Sequence, residues 1–444
     1  MVLLAAAGTL VALITFLHRY GLADLRLDRD AVRSWLAGNA LYDYRSPTSQ
    51  LGTAVPPPAG YLLVPAALVP LAVAGWALAL TGVAALLLAL IALVGPVARR
   101  YGRRRWPAVL VAAALALTVE PVRATLGLGD LDLVLFGLIT ADVVALRRRA
   151  WARSRATWWP GRPASVPPRD RPLVHLLRQG WATGAWAGVG IGLATALAVS
   201  PGVFIVYLAV TRQWRTACTA LGTVLTLTTG ALLLAPQQTA AWFGDVLWRL
   251  DRTGDIDRAG NQSLAGVLAR LYDSATTPVL LWWSFALLLL AVGLIRARAA
   301  HADGDEIAAF TLVGLTGAVI GPITETNELV WVLPAVLILV DAAARQRVLS
   351  RRPLSGRAGR FLGGGWAAAA LLTYLTFLVA PVWTFAGAGG VVGVLGGDAY
   401  AIALILLVNA LPWRPGVAPA FPINRWIKQT RQRMIPPARR PTGS

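Results

Sequence analysis

The sequence predicts an all-α polytopic membrane protein, on three observations. Hydrophobic residues make up 57% of the 444 and charged residues 14%, against roughly 25% charged in a soluble globular domain. Apolar runs recur that suit a bilayer, which asks for about 20 residues per span, or fewer where a helix ends in a protein-lined cavity. The arginine-rich runs between them fall in alternate connections, as they do when such loops face the cytoplasm.

Taken in chain order, about twelve stretches qualify as transmembrane helices: 1–17, 62–95, 107–119, 131–146, 181–199, 202–211, 217–235, 277–295, 307–320, 329–343, 362–380 and 399–412. The first has no positively charged leader and no clear small-residue cleavage site, so it is expected to be a retained span rather than a signal peptide. The second is long enough to hold a bent or re-entrant entry before its span. Pro201 separates the fifth from the short sixth.

Arginine runs at 99–105, 147–155 (continuing to Arg178), 212–215, 296–298 and 345–352 (continuing to Arg360), and the tail from Arg414, occupy one set of connections. The positive-inside rule puts these and both termini in the cytoplasm. The domain reading is therefore a polytopic unit over 1–412 and a basic cytoplasmic tail over 413–444. The other connections, 18–61, 120–130, 236–276, 321–328 and 381–398, carry most of the acids and are expected outside. A net charge of +20 then reflects topology and does not call for nucleic acid. Cys218 is alone, which excludes a disulfide framework and a cysteine metal site. The proline- and arginine-rich segment 156–172 reads as a mobile linker near the headgroups. The glycines of 387–397 lack the strand and helix that a nucleotide-binding loop requires.

The external connections hold the candidate chemistry. In "DLRLDRDAVRSWLAGNALYD" (24–43), Val32, Trp35 and Leu36 follow helical spacing, Asp28 or Asp30 is available as an N-cap, and Gly38 ends the run. This is a short interfacial helix, with Asp24 before it at the mouth of the first span. Asp24 is either a solvated partner of Arg26 or Arg29 or a general base for a sugar hydroxyl. Glu120 and Arg123 lie three residues apart. Arg123 is a candidate anion ligand through its planar fork, and an ordinary Glu120–Arg123 pair explains the spacing equally well. Asp130 and Asp132 begin a span, and Asp132 and Asp142 are candidates because an ionisable group in the bilayer costs at least about 2.5 kcal/mol. Asn261, Gln262 and Ser263 are either sugar-binding groups or the cap of the next helix. His18 is an interfacial side chain near the outer face.

Five ordered segments carry a resemblance: 24–43, "VPPPAGYLLVPAALVPL" (55–71), "EPVRATLGLGDLDLVLFGLITADV" (120–143), "GNQSLAGVLARL" (260–271) and "GPITETNELVWVLP" (321–334). Together they resemble glycosyltransferase family 87, the actinobacterial polyprenyl-phosphate-mannose-dependent α-mannosyltransferases with the GT-C membrane fold. The resemblance implies inverting transfer of mannose from a polyprenyl phosphate to a hydroxyl of a glycolipid or lipoglycan at the outer face of the plasma membrane. It implies Asp24 as the catalytic base. Arg123, Glu120, Asp130, Asn261, Gln262, Asn327 and Glu328 are the matching candidates for binding the donor's phosphate or sugar.

The departures fall around the same site. The family's Gly-Gln-Val-Asn is Gly129-Asp130-Leu131-Asp132, its tyrosine after Asp-Leu-x-Val is Asp28, and its lysine before Thr-Pro is Ala198. Its paired histidines are Asn327 and Glu328. Losing a donor near the phosphate removes about 2.7–4 kcal/mol of stabilisation. Either other arginines serve the phosphate, the donor differs, as with another polyprenyl-linked sugar such as arabinose, or the chain is a weak or inactive relative; a transporter of lipid-linked saccharides is the alternative from outside the enzymes. No cofactor is expected. Asp130 and Glu328, as hard oxygen ligands, are the candidates for a divalent cation.

Overall fold

The computed structural model describes residues 2–158, 180, 182–249, 254–272, 278–350 and 357–415. Among them the chain is helical, with no strand. Most of the linker 156–172, Asp251, His175, Asp273 and the tail from 416 lie outside the described residues.

The first half runs α1 (Val2–Tyr20), α2 (Ala23–Leu36), α3 (Pro57–Leu68), α4 (Leu71–Arg100), α5 (Arg105–Ala116), α6 (Glu120–Leu128) and α7 (Asp132–Trp158). Next come α8 (Val189–Leu197), α9 (Gly202–Val210), α10 (Trp214–Leu234), α11 (Pro236–Gly244) and α12 (Leu264–Leu271). The chain continues through α13 (Val279–Ala302), α14 (Glu306–Ile320), α15 (Val332–Ser350), α16 (Arg357–Val379), α17 (Pro381–Phe385), α18 (Gly390–Gly397) and α19 (Ala399–Ala410).

Among the described residues four helices are long and apolar enough to cross a membrane by themselves, at Leu71–Arg100, Trp214–Leu234, Val279–Ala302 and Thr326–Val348. Two bent pairs, α5 with α6 at 72° and α18 with α19 at 63°, bring the number to six if each is one span. The chain is thus a multi-pass membrane protein, and the expected count of twelve is not reproduced. The difference is physical, because several apolar stretches form short or broken helices. Pro57–Leu68 and Glu306–Ile320 are only 12 and 15 residues long. As expected, the stretch 62–95 has a separate entry, α3, ahead of the long α4, with Pro70 between them. The break at Pro201 also appears, between α8 and α9.

The main core fills the space between α4, α7, α8, α14 and α15. Phe204 stacks on Phe310 at 5.5 Å, and Trp331 meets Phe136 edge-on at 5.0 Å, arrangements that suit the ring quadrupoles. Asp142, fully buried on α7, accepts the backbone N–H of Ile191 at 2.7 Å. A carboxylate from one helix thereby satisfies a donor at the N-terminus of another. Asp142, a candidate for function from its depth, is therefore a tie between α7 and α8.

A smaller core forms under α2, from Leu25, Val32, Leu41, Leu63 and Trp242 among others. Here the expected interfacial helix is longer than its apolar signal. It starts at Ala23, after a sharp turn made by Gly21 and Leu22, both at positive φ. Asp24 consequently sits in the first turn of the helix, not before it, and no side chain caps that end. The buried stripe is Leu25, Arg29 and Val32, and the arginine in its middle hides the helical period from the sequence. Arg29 donates to the carbonyls of Ala66 (3.0 Å) and Val69 (2.5 Å), and Arg33 to that of Ala67 (2.7 Å). These are carbonyls that the C-terminus of α3 leaves without helical partners, so two guanidinium groups fasten α2 to α3.

At the opposite end, Arg414 pairs with Asp341 on α15, and its Nη2 donates to the Tyr101 hydroxyl at 3.1 Å. Trp413 donates to Asp303 at 2.8 Å. The segment after α19 is thereby tied to the ends of α4, α13 and α15.

Candidate active site

A cavity of about 730 Å³ lies where α2, the α6–α7 connection, α13 and the turn before α15 meet. Among the described residues six carboxylates line it: Asp24, Asp28, Asp130, Asp132, Glu325 and Glu328. Among the described lining residues the cations are Arg249 and Arg258. The α13 wall is apolar, with Trp282, Trp283 and Leu287, and Trp283 and Leu287 are more than half exposed on a helix that is itself little buried. The site therefore joins an acidic chamber to a face that meets lipid.

Asp24 is carried by the first turn of α2. Burial pushes its carboxyl up to about 8, helped by the negative charges of Asp130, Glu325 and Asp28 and opposed by Arg258. Loss of hydration disfavours the ionised form, and like charges add to it. Asp28, one turn on, accepts the Thr53 hydroxyl at 2.7 Å. Burial pushes it up to about 7 against that hydrogen bond.

Gly129 ends α6 in the left-handed region at φ 81°. The chain then turns through Asp130, whose Oδ1 accepts the Leu131 N–H at 2.5 Å. The Asn327 amide donates to Asp130 Oδ2 at 2.8 Å and to Asp132 Oδ2 at 2.9 Å. It sits between the two carboxylates, where a bridging cation would otherwise be needed. Burial also raises the Asp130 carboxyl, with Glu325 adding to the rise, while the Leu131 N–H and the Asn327 amide oppose it. Among the described residues no group of three His, Cys, Asp or Glu side chains is arranged to hold a metal ion.

The structure brings Asp24, Asp130, Asn327 and Glu328 together on this cavity and leaves four other candidates off its wall. Glu120, almost wholly buried, accepts from the Tyr20 hydroxyl at 3.2 Å, Trp383 Nε1 at 3.1 Å and Arg123 at 3.0 Å. Arg123 donates in turn to the Leu378 carbonyl at 3.3 Å. The pair is a polar junction between α1, α6, α16 and α17. Asn261 and Gln262 are fully buried. The Asn261 amide accepts the N–H of Thr324 at 3.0 Å and donates to Ile256 and Pro322 carbonyls. Gln262 donates to the carbonyls of Ala259 and Gly397, each at 2.8 Å. Ser263 caps α12 by accepting the Gly266 N–H at 3.1 Å. These side chains knit backbone to backbone, and His18 is exposed and off the cavity wall.

Arg258 and Glu325 were not singled out by sequence reasoning, yet they form an ion pair on the cavity wall. Asn261 is the reason they meet, since its amide joins the loop bearing Arg258 to the loop bearing Glu325. The signal was in the Asn-Gln-Ser segment, but it marked the hinge and not the charged pair beside it.

The fold and the site are those of a membrane-embedded enzyme with an acidic chamber open to lipid. The sequence pattern of glycosyltransferase family 87 matches residues 55–322, and the chain belongs to that family and is a glycosyltransferase. It is 29% identical over 357 residues to the polyprenol-phosphate-mannose-dependent alpha-(1-2)-phosphatidylinositol mannoside mannosyltransferase of Mycobacterium tuberculosis, covering 76% of this chain and 75% of that one. The protein of the same description from Mycolicibacterium smegmatis is 27% identical over 252 residues, which is 55% of this chain and about half (49%) of the relative. Among solved structures, ArnT from Cupriavidus metallidurans in the apo state aligns over 92% of this chain and 75% of its own, with 17% identity and a TM-score of 0.37.

Proposed function

We propose that the protein transfers mannose, with inversion, from a polyprenyl-phosphate-mannose donor to a hydroxyl of a glycolipid or lipoglycan, with Asp24 as general base, at the outer face of the plasma membrane. The observation that carries this reading is Asp24 on the wall of a chamber whose other side is an apolar face open to lipid. In the transfer the acceptor oxygen attacks C1 of the sugar and its proton passes to Asp24. The bond from C1 to the phosphate oxygen breaks, and its electron pair leaves with the polyprenyl phosphate. That leaving group is already good, so the protein's main tasks are to hold the base and to meet the phosphate charge. A carboxyl pushed up to about 8 is a stronger base than an ordinary aspartate.

The outer-face assignment rests on charge. The arginine-bearing connections, with the clamp at Arg414, gather at one end and the acidic cavity lies at the other, which the positive-inside rule reads as cytoplasm and exterior. Both termini are then cytoplasmic. The names of the mycobacterial relatives support the donor and a phosphatidylinositol mannoside-like acceptor.

A second reading, transfer of another polyprenyl-linked sugar such as arabinose, is favoured by one observation. Asp130, Asp132, Asn327 and Glu328, the positions that depart from the family pattern, all line the cavity. The test is sugar transfer by the purified protein in lipid with each donor, comparing wild type with Asp24→Asn. Transfer from the mannose donor that is lost in the folded variant supports the reading. Transfer undiminished in the variant overturns the base, transfer only from the arabinose donor replaces the sugar, and silence with both donors makes saccharide transport the better account.

A further inference from the structure

We infer that Arg258 is the seat of a lipid-borne phosphate, and that Glu325 occupies Arg258 until that phosphate arrives. The inference deepens the proposed transfer reaction and rests on it. A donor of that class must bring a phosphate charge into a chamber whose described lining includes six carboxyl groups, where an anion is best stabilised beside a cation. Arg123, the cation suggested by sequence spacing, is held by the buried Glu120 and does not line the chamber. The described cations that do are Arg249 and Arg258.

The two differ in what holds them. Arg249 is about half exposed and sits 3.5 Å from an equally exposed Asp245, a loose surface pair of small energetic weight. Arg258 is about one-quarter exposed and paired with Glu325, which lines the same cavity. Its position is also built. Asn261 accepts the N–H groups of Ser263 and Thr324, the Gln262 N–H donates to the Thr324 carbonyl at 2.8 Å, and Arg270 donates to the Arg258 carbonyl at 2.7 Å. A guanidinium held on so rigid a loop matches phosphate oxygens through its planar fork. Glu325 compensates the charge of this partly exposed guanidinium. An incoming phosphate then competes with Glu325 for the same guanidinium.

This exchange predicts opposite effects for the two halves of one ion pair. The measurement is binding of the full-length protein in nanodiscs to polyprenyl phosphate and, separately, to phosphatidylinositol, for wild type, Arg258→Gln, Arg258→Lys and Glu325→Gln, with folding checked by thermal unfolding. Arg258→Gln is expected to weaken binding by about 10- to 100-fold, the scale of a charge-assisted hydrogen bond, with Arg258→Lys recovering part of it. Glu325→Gln is expected to tighten binding by about 3- to 10-fold, because a competitor and a repelling charge are both removed. Were the pair only structural, both variants would weaken binding, and that result overturns the inference. Opposite shifts with polyprenyl phosphate identify the donor's phosphate, and opposite shifts with phosphatidylinositol alone identify the acceptor's. If folded variants bind both lipids as wild type does, Arg258 is not the seat although the transfer reading stands. If wild type binds neither lipid and transfers no sugar, the transfer reading falls with it.

Discussion

The Asn327 side-chain amide donates to Asp130 and Asp132 at once, at 2.8 and 2.9 Å. A single neutral side chain from the turn before α15 holds two carboxylates that α7 would otherwise present to one another. Its partners start the helix that lines the site, so the amide fixes both the charge and the shape of that wall.

Asn327→Asp is expected to set three carboxylates together and to destabilise the fold by about 1–3 kcal/mol, the scale of a lost buried hydrogen bond. Adding Asp130→Asn returns an amide to the cluster, so the double variant is expected to regain most of the loss. Thermal unfolding in detergent or lipid checks both, and a double variant no better than the single one would separate the two residues energetically.

Asp24 links activity and stability through one proton. Because its folded carboxyl lies near 8, well above the ordinary aspartate value of about 3.9, the folded chain keeps a proton that the unfolded chain releases between those limits. Stability from this group therefore falls as pH rises through that window, while transfer rises through about pH 8 as the base becomes free. Asp24→Asn is expected to abolish transfer and to unfold at a higher temperature than wild type, with the difference growing from pH 5 to pH 8.5. A difference that does not change with pH would contradict this assignment.

Arg123 and Glu120 are expected to behave as a structural pair. Removing one partner leaves an uncompensated buried charge, at a cost of about 3–5 kcal/mol, so Arg123→Gln is strongly destabilising. Glu120→Gln combined with Arg123→Gln is expected to restore stability and with it transfer. If the double variant is stable yet its donor KM is raised many-fold, Arg123 binds the donor after all.

Gly129 is expected to tolerate no side chain. Its φ of 81° disfavours one, and a Cβ would lie 2.7 Å from the Cβ of Leu25. Leu25 follows Asp24 directly, so Gly129→Ala pushes on the turn that carries the base. The expected result is a loss of about 1–3 kcal/mol from the strained backbone, together with a lower kcat per folded molecule. Thermal unfolding and transfer rates measured on the same preparation check this.

Much of the fold was legible because the bilayer writes it in simple terms. The apolar stretches, the break at Pro201 and the separate entry before α4 follow from hydropathy and proline chemistry. The start of α2 was not legible, because Arg29 occupies its buried stripe and finds its partners in carbonyls 37 and 40 residues away. The same limit applied to the site. Asp24, Asp130, Asn327 and Glu328 could be collected from motifs, and their convergence supports that collection. Arg258 and Glu325 could not, since their pairing depends on how Asn261 joins two distant loops. Asp142 misled for a related reason: depth in the membrane signals a need for partners, and here a helix end supplies one.

A chamber whose described lining carries six carboxylates and two guanidinium groups is also a reservoir of exchangeable protons. An anionic ligand entering it raises the proton affinity of every carboxylate it approaches, so binding draws protons from the solvent. The heat of binding of a polyprenyl phosphate should then depend on the ionisation enthalpy of the buffer, and affinity should fall as the medium becomes more alkaline. The enzyme would thus sense the acidity of its surroundings through its occupancy, before any sugar is moved.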